Sequence, residues 1–261
     1  MHANDTRFSL TFMQMMAEDW KQGKRQTFEL SNSFDGKYDY KIDTLELDFR
    51  LKYNIGIIFE DSEIAPDDFI RPTNNDFLLE SGVTYPIGWT VNPFFSASAK
   101  SQITESFRIN QKNPIRTAKF WDPITTQQNI GFAYTSKVEK NKILIKLGFA
   151  LKQIRAYHHT ATTDDRSTRD VVERYKAEAG ISIRSETLYY LTENLTYRNK
   201  TDMFASYENL EVWTFKMENL FDVKVWKVVG ISVGIDLNYN QDQSTKIQYN
   251  QKVSIGLITN F

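Results

Sequence analysis

Two adjacent histidines are the residues of this chain that most readily suggest catalysis. His158 and His159 open a polar segment that also contains Asp164 and Asp165. A histidine beside a serine or an aspartate can act as a general base, so a hydrolytic site is one hypothesis. Neighbouring residues of an extended chain point to opposite faces, however, and spacing alone brings no nucleophile to either imidazole. We therefore expect a solvated loop with no catalytic residue and no metal ion.

A second candidate is the acidic stretch of Glu60, Asp61, Glu63, Asp67 and Asp68. Carboxylate oxygens are good Ca²⁺ ligands, but this spacing lacks the alternate ligand positions and central glycine of a calcium-binding loop. Because the chain has no cysteine, disulfides and thiolate metal sites are excluded. The sequence thus predicts a hydrated loop and no cofactor.

The overall charge excludes one class of partner. The chain has 32 basic and 33 acidic residues, which gives a net charge of −1. A nucleic-acid-binding domain normally carries a basic excess. We therefore expect no nucleic-acid partner.

The charged residues occupy alternate positions of long, two-faced segments. Between residues 45 and 59, apolar and aromatic residues fill every odd position, while Glu46, Asp48, Arg50 and Lys52 fill even positions. This period of two predicts a β-strand with one apolar and one polar face. Such a strand would span roughly 50 Å, whereas an ordinary strand has about 5 to 6 residues.

The same rhythm returns along the chain and defines about twelve segments. It is clearest at residues 229–239 and 247–257. An even number of strands favours an all-β fold, a closed antiparallel up-and-down transmembrane β-barrel of about twelve strands, with ten or fourteen as alternatives. We predict one barrel domain over residues 1–261. The predicted strands are 7–19, 26–35, 43–60, 76–86, 93–108, 127–138, 142–157, 173–184, 187–198, 210–225, 228–240 and 245–261.

The connections between these segments fall into two sets. The short ones lie around Tyr38, at 88–92, 139–141 and 185–186, and at Lys227. The longer, polar ones are 61–75, 109–126, 158–172 and 199–209, together with a small turn at 241–244. Short periplasmic turns and long outer loops are typical of bacterial outer-membrane barrels. The alternative fold, a soluble β-sandwich or carbohydrate-binding module, has no reason to sort its loops in this way.

Hydropathy and aromatic placement also fit a membrane barrel. The mean hydropathy of −0.49 is low, as expected when apolar residues occupy only alternate positions of each strand. Trp89 and Trp226 fall near one set of predicted strand ends, and Phe59 and Tyr157 fall near the other. Two such rings match the interfacial girdles of membrane barrels.

The C-terminal strand resembles the terminal signal of proteins that the outer-membrane barrel-assembly machinery inserts. Such a signal is a final aromatic residue preceded by apolar residues at alternate positions, here Val253, Ile255, Leu257 and Phe261. The resemblance implies that this machinery is a partner, together with outer-membrane lipid and lipopolysaccharide.

A wider resemblance covers part of the N-terminal half. Its elements are Trp20 and Gly23, the stretch 67–70, Tyr85-Pro86 and the stretch 92–96. They resemble an uncharacterised outer-membrane β-barrel family of Bacteroidota type, the domain of unknown function 3078. The resemblance implies a barrel in the bacterial outer membrane and no particular activity.

If the apolar face meets lipid, the charged face must line the lumen. Charges inside a barrel are tolerated when they pair or contact water, and mixed signs argue against a selective pore. We therefore expect a non-enzymatic barrel that is a structural or interaction component of the cell envelope, with a possible envelope protein partner. A narrow, porin-like solute channel and a rim-located outer-membrane hydrolase are the alternatives. The predicted lumen charges are Glu46, Asp48, Arg50, Lys52, Lys146, Lys152, Lys216, Glu218, Asp222, Asp236 and Lys252.

Overall fold

The computed structural model describes residues 3–17, 25–62, 65–110, 113–160, 163–164, 168, 171–226, 229–240 and 247–259. These residues form strands joined by turns and two longer connections. The strands are β1 Ala3–Ala17, β2 Arg25–Ile42, β3 Leu45–Ser62, β4 Ala65–Thr84, β5 Val91–Ser101, β6 Ser106–Asn110, β7 Asn113–Ala118, β8 Ile124–Val138, β9 Asn141–Arg155, β10 Tyr175–Tyr190, β11 Leu195–Ser206, β12 Asn209–Lys224, β13 Val229–Asn240 and β14 Gln248–Thr259.

Twelve of these strands form one closed antiparallel barrel. The order around the wall is β1-β14-β13-β12-β11-β10-β9-β8-β5-β4-β3-β2, and β2 pairs again with β1. Closure through β1 and β14 removes the open edges that a flat sheet would have. The hairpin β6–β7 forms a separate two-stranded sheet. The predicted closed antiparallel barrel of about twelve strands is confirmed.

The hairpin of β2 and β3 shows how the sequence builds this wall. Pairing runs without a break from Ile42↔Leu45 to Arg25↔Ser62. At the turn, Asp43 has a φ of 50°, a left-handed conformation that aspartate tolerates. The predicted turn around Tyr38 is wrong, because apolar and charged residues keep alternating as far as Ile42.

Three other predicted connections are also wrong. Residues 185–186 lie inside β10, which continues to Tyr190 before a turn at 191–194. The predicted loop 61–75 is mostly strand, since β4 begins at Ala65. The predicted loop 199–209 contains most of β11, which is followed by a short turn at Tyr207 and Glu208. In each case the sequence has polar residues at consecutive positions, so the two-residue period is hidden.

The two ends of the barrel differ in their connections. One end, here called the short-turn end, has its turns at 43–44, 85–90, 139–140 and 191–194, and residues 225–226 follow β12 there. The opposite end, called the long-loop end, has a short turn at 207–208 and two long connections, at 102–123, which includes the hairpin β6–β7, and at 156–174. Among the described residues, no helix is long and apolar enough to cross a lipid bilayer.

The two faces of the wall have different chemistry. The outward face of β9 carries four exposed apolar side chains, Ile145, Leu147, Phe149 and Leu151. Of these, Phe149 is 65% exposed. Large exposed aromatic residues stand beyond the strand ends at the short turns, among them Trp89 and Trp226. The inward face carries the charged side chains. The wall is therefore apolar on its outer face and charged on its inner face. This reverses the usual arrangement of a soluble protein, which has an apolar interior and a polar surface.

Candidate functional site

The centre of the lumen is organised by one buried carboxylate, Glu80 of β4. Its Oε1 lies 2.9 Å from Nη1 of Arg184, and its Oε2 lies 3.3 Å from Nζ of Lys200 and 3.8 Å from Nη1 of Arg50. These three cations belong to β10, β11 and β3. Because β10 and β11 are not neighbours of β4 in the wall, Glu80 joins two sides of the barrel through its interior.

Each guanidinium at this centre has a second carboxylate. Arg50 donates from Nε and Nη2 to the two oxygens of Asp35, at 2.8 and 2.6 Å. Arg184 donates from Nε to Asp202. A planar guanidinium matches a carboxylate in this two-point geometry, which fixes its orientation more firmly than a single contact would.

Further ion pairs cross the lumen at neighbouring levels. Lys37 of β2 reaches Glu186 of β10 at 3.1 Å, and these strands lie six positions apart in either direction around the wall. We call this whole set of paired charges the charge plug. Its other cross-lumen pairs are Lys52 with Glu218 at 3.1 Å, Lys146 with Asp48 at 3.4 Å and Lys142 with Asp39 at 3.5 Å.

A second cluster fills the lumen near β1 and β12. Asp222 is buried and lies 2.9 Å from Nη2 of Arg7, and Ser232 donates a hydrogen bond to it. Nε of Arg198 lies 3.4 Å from the other oxygen of Asp222. Since an isolated charge in a dry interior is costly, the two guanidinium groups beside it compensate the buried charge of Asp222.

Above the charge plug, towards the long-loop end, the lumen widens into a vestibule of about 270 Å³. Its upper wall includes Asp76 and Lys100, which pair at 3.4 Å, and Thr125. Phe204 is buried in its side, with Nζ of Lys152 over the ring at 5.4 Å. A smaller cavity of about 20 Å³ lies within the charge plug itself and shares Glu80 with the vestibule. Paired side chains thus occupy the passage between the two ends.

The structure places most of the predicted lumen residues on the inward face. Eight of them form ion pairs there: Asp48, Arg50, Lys52, Lys146, Lys152, Lys216, Glu218 and Asp222. Glu46 instead lies at the short-turn end, half exposed and 3.9 Å from Lys41. Asp236 pairs in register with Glu218 and so shares its face. Lys252 lies opposite Gly234 in the β13–β14 pairing, and its side chain is outside the described residues.

The sequence prediction missed the residues that hold the charge plug together. They are Asp35, Lys37, Glu80, Arg184, Glu186, Lys200 and Asp202. A usable signal was present, because charged residues recur at every second position in 35–39, 184–186 and 198–202. The predicted turns around Tyr38 and at 185–186 and the predicted loop at 199–209 hid these three runs.

His158 belongs to a contact between the two long connections. The buried carboxylate of Asp122 accepts hydrogen bonds from the backbone N–H groups of Tyr157 and His158 at 2.8 and 2.9 Å, and Nδ1 of His158 lies 3.2 Å from it. We call these three residues the loop clamp. Burial opposes ionisation of Asp122, but the hydrogen bonds from Tyr157 and His158 outweigh it and hold the pKa of this carboxyl below its ordinary value.

The remaining predicted sites are the metal-binding candidates and the C-terminal strand, parts of which lie outside the described residues. In the described part of the chain, no three His, Cys, Asp or Glu residues are grouped as a metal site would require. The side chains of the acidic stretch, Glu60, Asp61, Glu63, Asp67 and Asp68, lie outside the described residues. In the C-terminal strand, Val253 and Ile255 face outward and are exposed, whereas the side chain of Leu257 and all of Phe261 are not described.

Comparison with known families gives one match. The model of a family described as "Protein of unknown function (DUF3078)" matches residues 12–107, which is less than half of the chain. This is the family whose resemblance the sequence motifs indicated. No curated protein sequence matches the chain.

Several solved β-barrels are similar in chain path. The COG4313 outer membrane channel from Pseudomonas putida F1 is 7% identical, with a TM-score of 0.46 over 100% of this chain and 95% of that one. The translocator domain of the autotransporter NalP from Neisseria meningitidis is 10% identical, with a TM-score of 0.41 over 99% and 87%. The β domain of the Bordetella autotransporter BrkA is 6% identical, with a TM-score of 0.34 over 100% and 99%. These similarities concern the chain path and not the function.

Proposed function

We propose that this chain is a non-enzymatic β-barrel of the bacterial outer membrane, of Bacteroidota type, with a lumen closed by the charge plug. Its role is that of a structural or interaction component of the cell envelope. The proposal rests on the difference in polarity between the two faces of the wall. The outer face has exposed aliphatic side chains such as Leu147, and the inner face has paired charges such as Glu80 and Arg184.

The outward face is what a lipid environment requires. Exposed residues such as Phe149 and Ile255, at 65% and 62%, would be unfavourable in water as part of a continuous apolar surface. In a bilayer the same surface is favourable, and a closed barrel satisfies the backbone donors and acceptors that lipid cannot. This supports a membrane location for the wall.

The inward face supports a closed lumen. Lys37 and Glu186 meet from opposite sides of the barrel, and Glu80 ties three further strands together below the vestibule. A conducting pore must let ions bind weakly and leave. Side chains that neutralise one another across the lumen favour rigidity of the wall over transport.

The partners follow from this location. Outer-membrane lipid and lipopolysaccharide would surround the outward face, and the barrel-assembly machinery would insert the chain through its C-terminal strand. An envelope protein would dock at the long-loop end, which carries the hairpin β6–β7.

Insertion into membranes tests the proposal. The purified protein should require detergent, and its migration on gels without boiling should shift after heating, since closed membrane barrels resist unfolding by cold detergent. In vesicles of outer-membrane lipid, the wall should be protected from protease while the long-loop end is cleaved. A protein that is monodisperse in buffer without detergent would contradict the membrane location.

One observation favours a second function, a narrow solute channel. The vestibule of about 270 Å³ leads from the long-loop end to the charge plug, so a rearrangement of the plug would open a passage. Single-channel recording in planar bilayers separates the two functions. We expect the native protein to be electrically silent, and steady conductance steps would favour the channel.

A double variant sharpens this recording. Replacing both Lys37 and Glu186 by alanine removes a cross-lumen bridge without leaving an unpaired charge. We expect it to conduct more than the native protein. The matched control replaces Lys41 and Glu46, an exposed pair at the short-turn end, and should remain silent.

A further inference from the structure

Among the described residues, one region of the outward face is polar. On three consecutive strands, β10 to β12, amide and hydroxyl side chains replace aliphatic ones. Thr187 pairs in register with Asn199 and Asn199 with Asn219, while Ser185 pairs with Thr201. We call these five residues the amide patch. They face outward because they alternate with inward residues of the charge plug such as Arg184, Lys200 and Glu218.

The amide patch lies within the apolar band and not at its margin. On β12, Asn219 stands about midway between Trp213 and Trp226, with Met217 and Phe221 as the nearest outward residues on either side. On the neighbouring strand β13 the same face carries Ile231, Val233, Ile235 and Leu237. Amide groups at this height would meet hydrocarbon in a monomeric barrel.

Hydrogen bonds within the patch satisfy part of its polar groups. Oδ1 of Asn219 accepts hydrogen bonds from the hydroxyl of Tyr197 at 2.8 Å and from Nδ2 of Asn199 at 2.9 Å. Nδ2 of Asn219 donates to the carbonyl of Ile235 at 3.4 Å, and Thr201 donates to Oδ1 of Asn199. An amide nitrogen has two N–H groups. Each of these two nitrogens donates one hydrogen bond within the described chain, so a second N–H remains for a partner that lipid tails cannot supply.

We propose that the amide patch is the centre of an interface with a second copy of this chain in the membrane. The inference rests on the proposed membrane location. A side-chain amide is both donor and acceptor, so a two-fold axis through Asn199 and Asn219 brings matching groups face to face. Ser185, Thr187 and Thr201 are small, which lets two walls approach closely, and small and hydroxyl residues are typical of contacts between membrane segments. The amide patch consists of neutral amides and hydroxyls, which favours a self-complementary partner over a charged one.

Cross-linking between single cysteines tests the interface, because the chain has no cysteine of its own. Thr187→Cys places a thiol inside the amide patch and leaves both asparagines in place. The matched control is Ile57→Cys, an exposed outward residue of β3 on the opposite side of the barrel. With a short bismaleimide added to vesicles, we expect a cross-linked dimer from Thr187→Cys and little from Ile57→Cys. Equal cross-linking of both variants would mean random collision and would overturn the proposal.

A second variant removes the amides. The double substitution Asn199→Leu and Asn219→Leu makes the patch apolar, so it should keep the barrel but weaken the dimer by roughly ten-fold at a given protein-to-lipid ratio. Native dimerisation in bilayers can be followed by the dilution of fluorescence energy transfer. A heat-modifiable, inserted protein that stays monomeric at all dilutions would overturn the interface while leaving the proposed function intact. Thr187→Cys cross-linked in native membranes only to a different protein would overturn the choice of a second copy.

Discussion

The inner and outer faces of the barrel wall share one backbone but are stabilised in different ways. On β9, Lys146 points inward to Asp48 while its neighbour Leu147 is 53% exposed on the outside. Inside, stability depends on specific partners, because a buried charge without its partner is costly. On the outer face, stability depends on the surrounding lipid, because hydrocarbon accepts any apolar side chain. The inner face should therefore be sensitive to single deletions, and the outer face to single added charges.

The largest effect should come from the hub of the inner face. Glu80→Gln leaves Arg50, Arg184 and Lys200 without the carboxylate that they share. We expect a loss of about 3 to 5 kcal/mol in the free energy of unfolding, the usual cost of breaking a buried ion pair from one side. Reversible urea unfolding in detergent micelles or in vesicles would measure it.

An exposed pair provides the control for Glu80. Glu46→Gln removes the partner of Lys41 at the short-turn end, where both side chains are 52% exposed. The expected change is about 0 to 1 kcal/mol, as for exposed ion pairs in general. Similar losses at Glu80 and Glu46 would mean that the lumen is as wet as the surface and that the charge plug contributes little.

The next effect concerns the outer face. Val233→Arg places a charge on the outward side of β13, and we expect it to cost roughly 2 to 4 kcal/mol if the site lies at the middle of the bilayer. Thr125→Arg, in the wall of the vestibule, is the inward control. Ser232 is less suitable for that purpose, because it is buried between Arg7 and Asp222. Equal insertion yields of the two arginine variants into vesicles would show that the outward face does not meet lipid.

The contrast between β3 and β11 explains how much of the fold could be predicted from the sequence. β3 alternates between strongly apolar residues and charges, so its faces were assigned correctly from composition alone. β11 has Arg198, Lys200 and Asp202 on one face and Asn199 and Thr201 on the other, so neither face is apolar. Period-two analysis depends on a difference in polarity between faces. A strand whose outward face contacts protein in place of lipid loses this signal.

The candidate site was harder to predict than the strands. That Arg50 faces the lumen follows from its position, but that it meets Asp35 depends on the register of β2 with β3. The contact of Arg50 with Glu80 depends on the register of β3 with β4. The contact of Glu80 with Arg184 depends on the curvature of the whole barrel. Closure of a sheet is a global property. No local pattern in the sequence specifies which charges meet across the lumen.

The smallest effect concerns the loop clamp, which lies outside both faces of the wall. Its pKa shift predicts a pH dependence of local opening. Because the pKa of Asp122 is lower in the folded protein than its ordinary value of 3.8, the clamp is fully stabilising above that value. Its contribution is lost as the pH falls through the lower, folded value, where the carboxyl takes up a proton. Hydrogen exchange of the amides of Tyr157 and His158, corrected for intrinsic rates, should therefore show constant protection at neutral pH and a loss in acid.

Asp122→Asn separates the clamp from general effects of acid. The carboxylate of Asp122 offers one oxygen to the backbone N–H of Tyr157 and the other to that of His158. An asparagine amide has only one oxygen, so one of these N–H groups loses its partner. The protection of these amides should fall by about 1 to 3 kcal/mol at neutral pH, the usual cost of an unsatisfied buried group. The variant should also show no acid transition at this site, while unfolding of the barrel wall remains unchanged. An acid transition that persists in Asp122→Asn would assign the pH dependence to another group and leave the two long connections joined by packing alone.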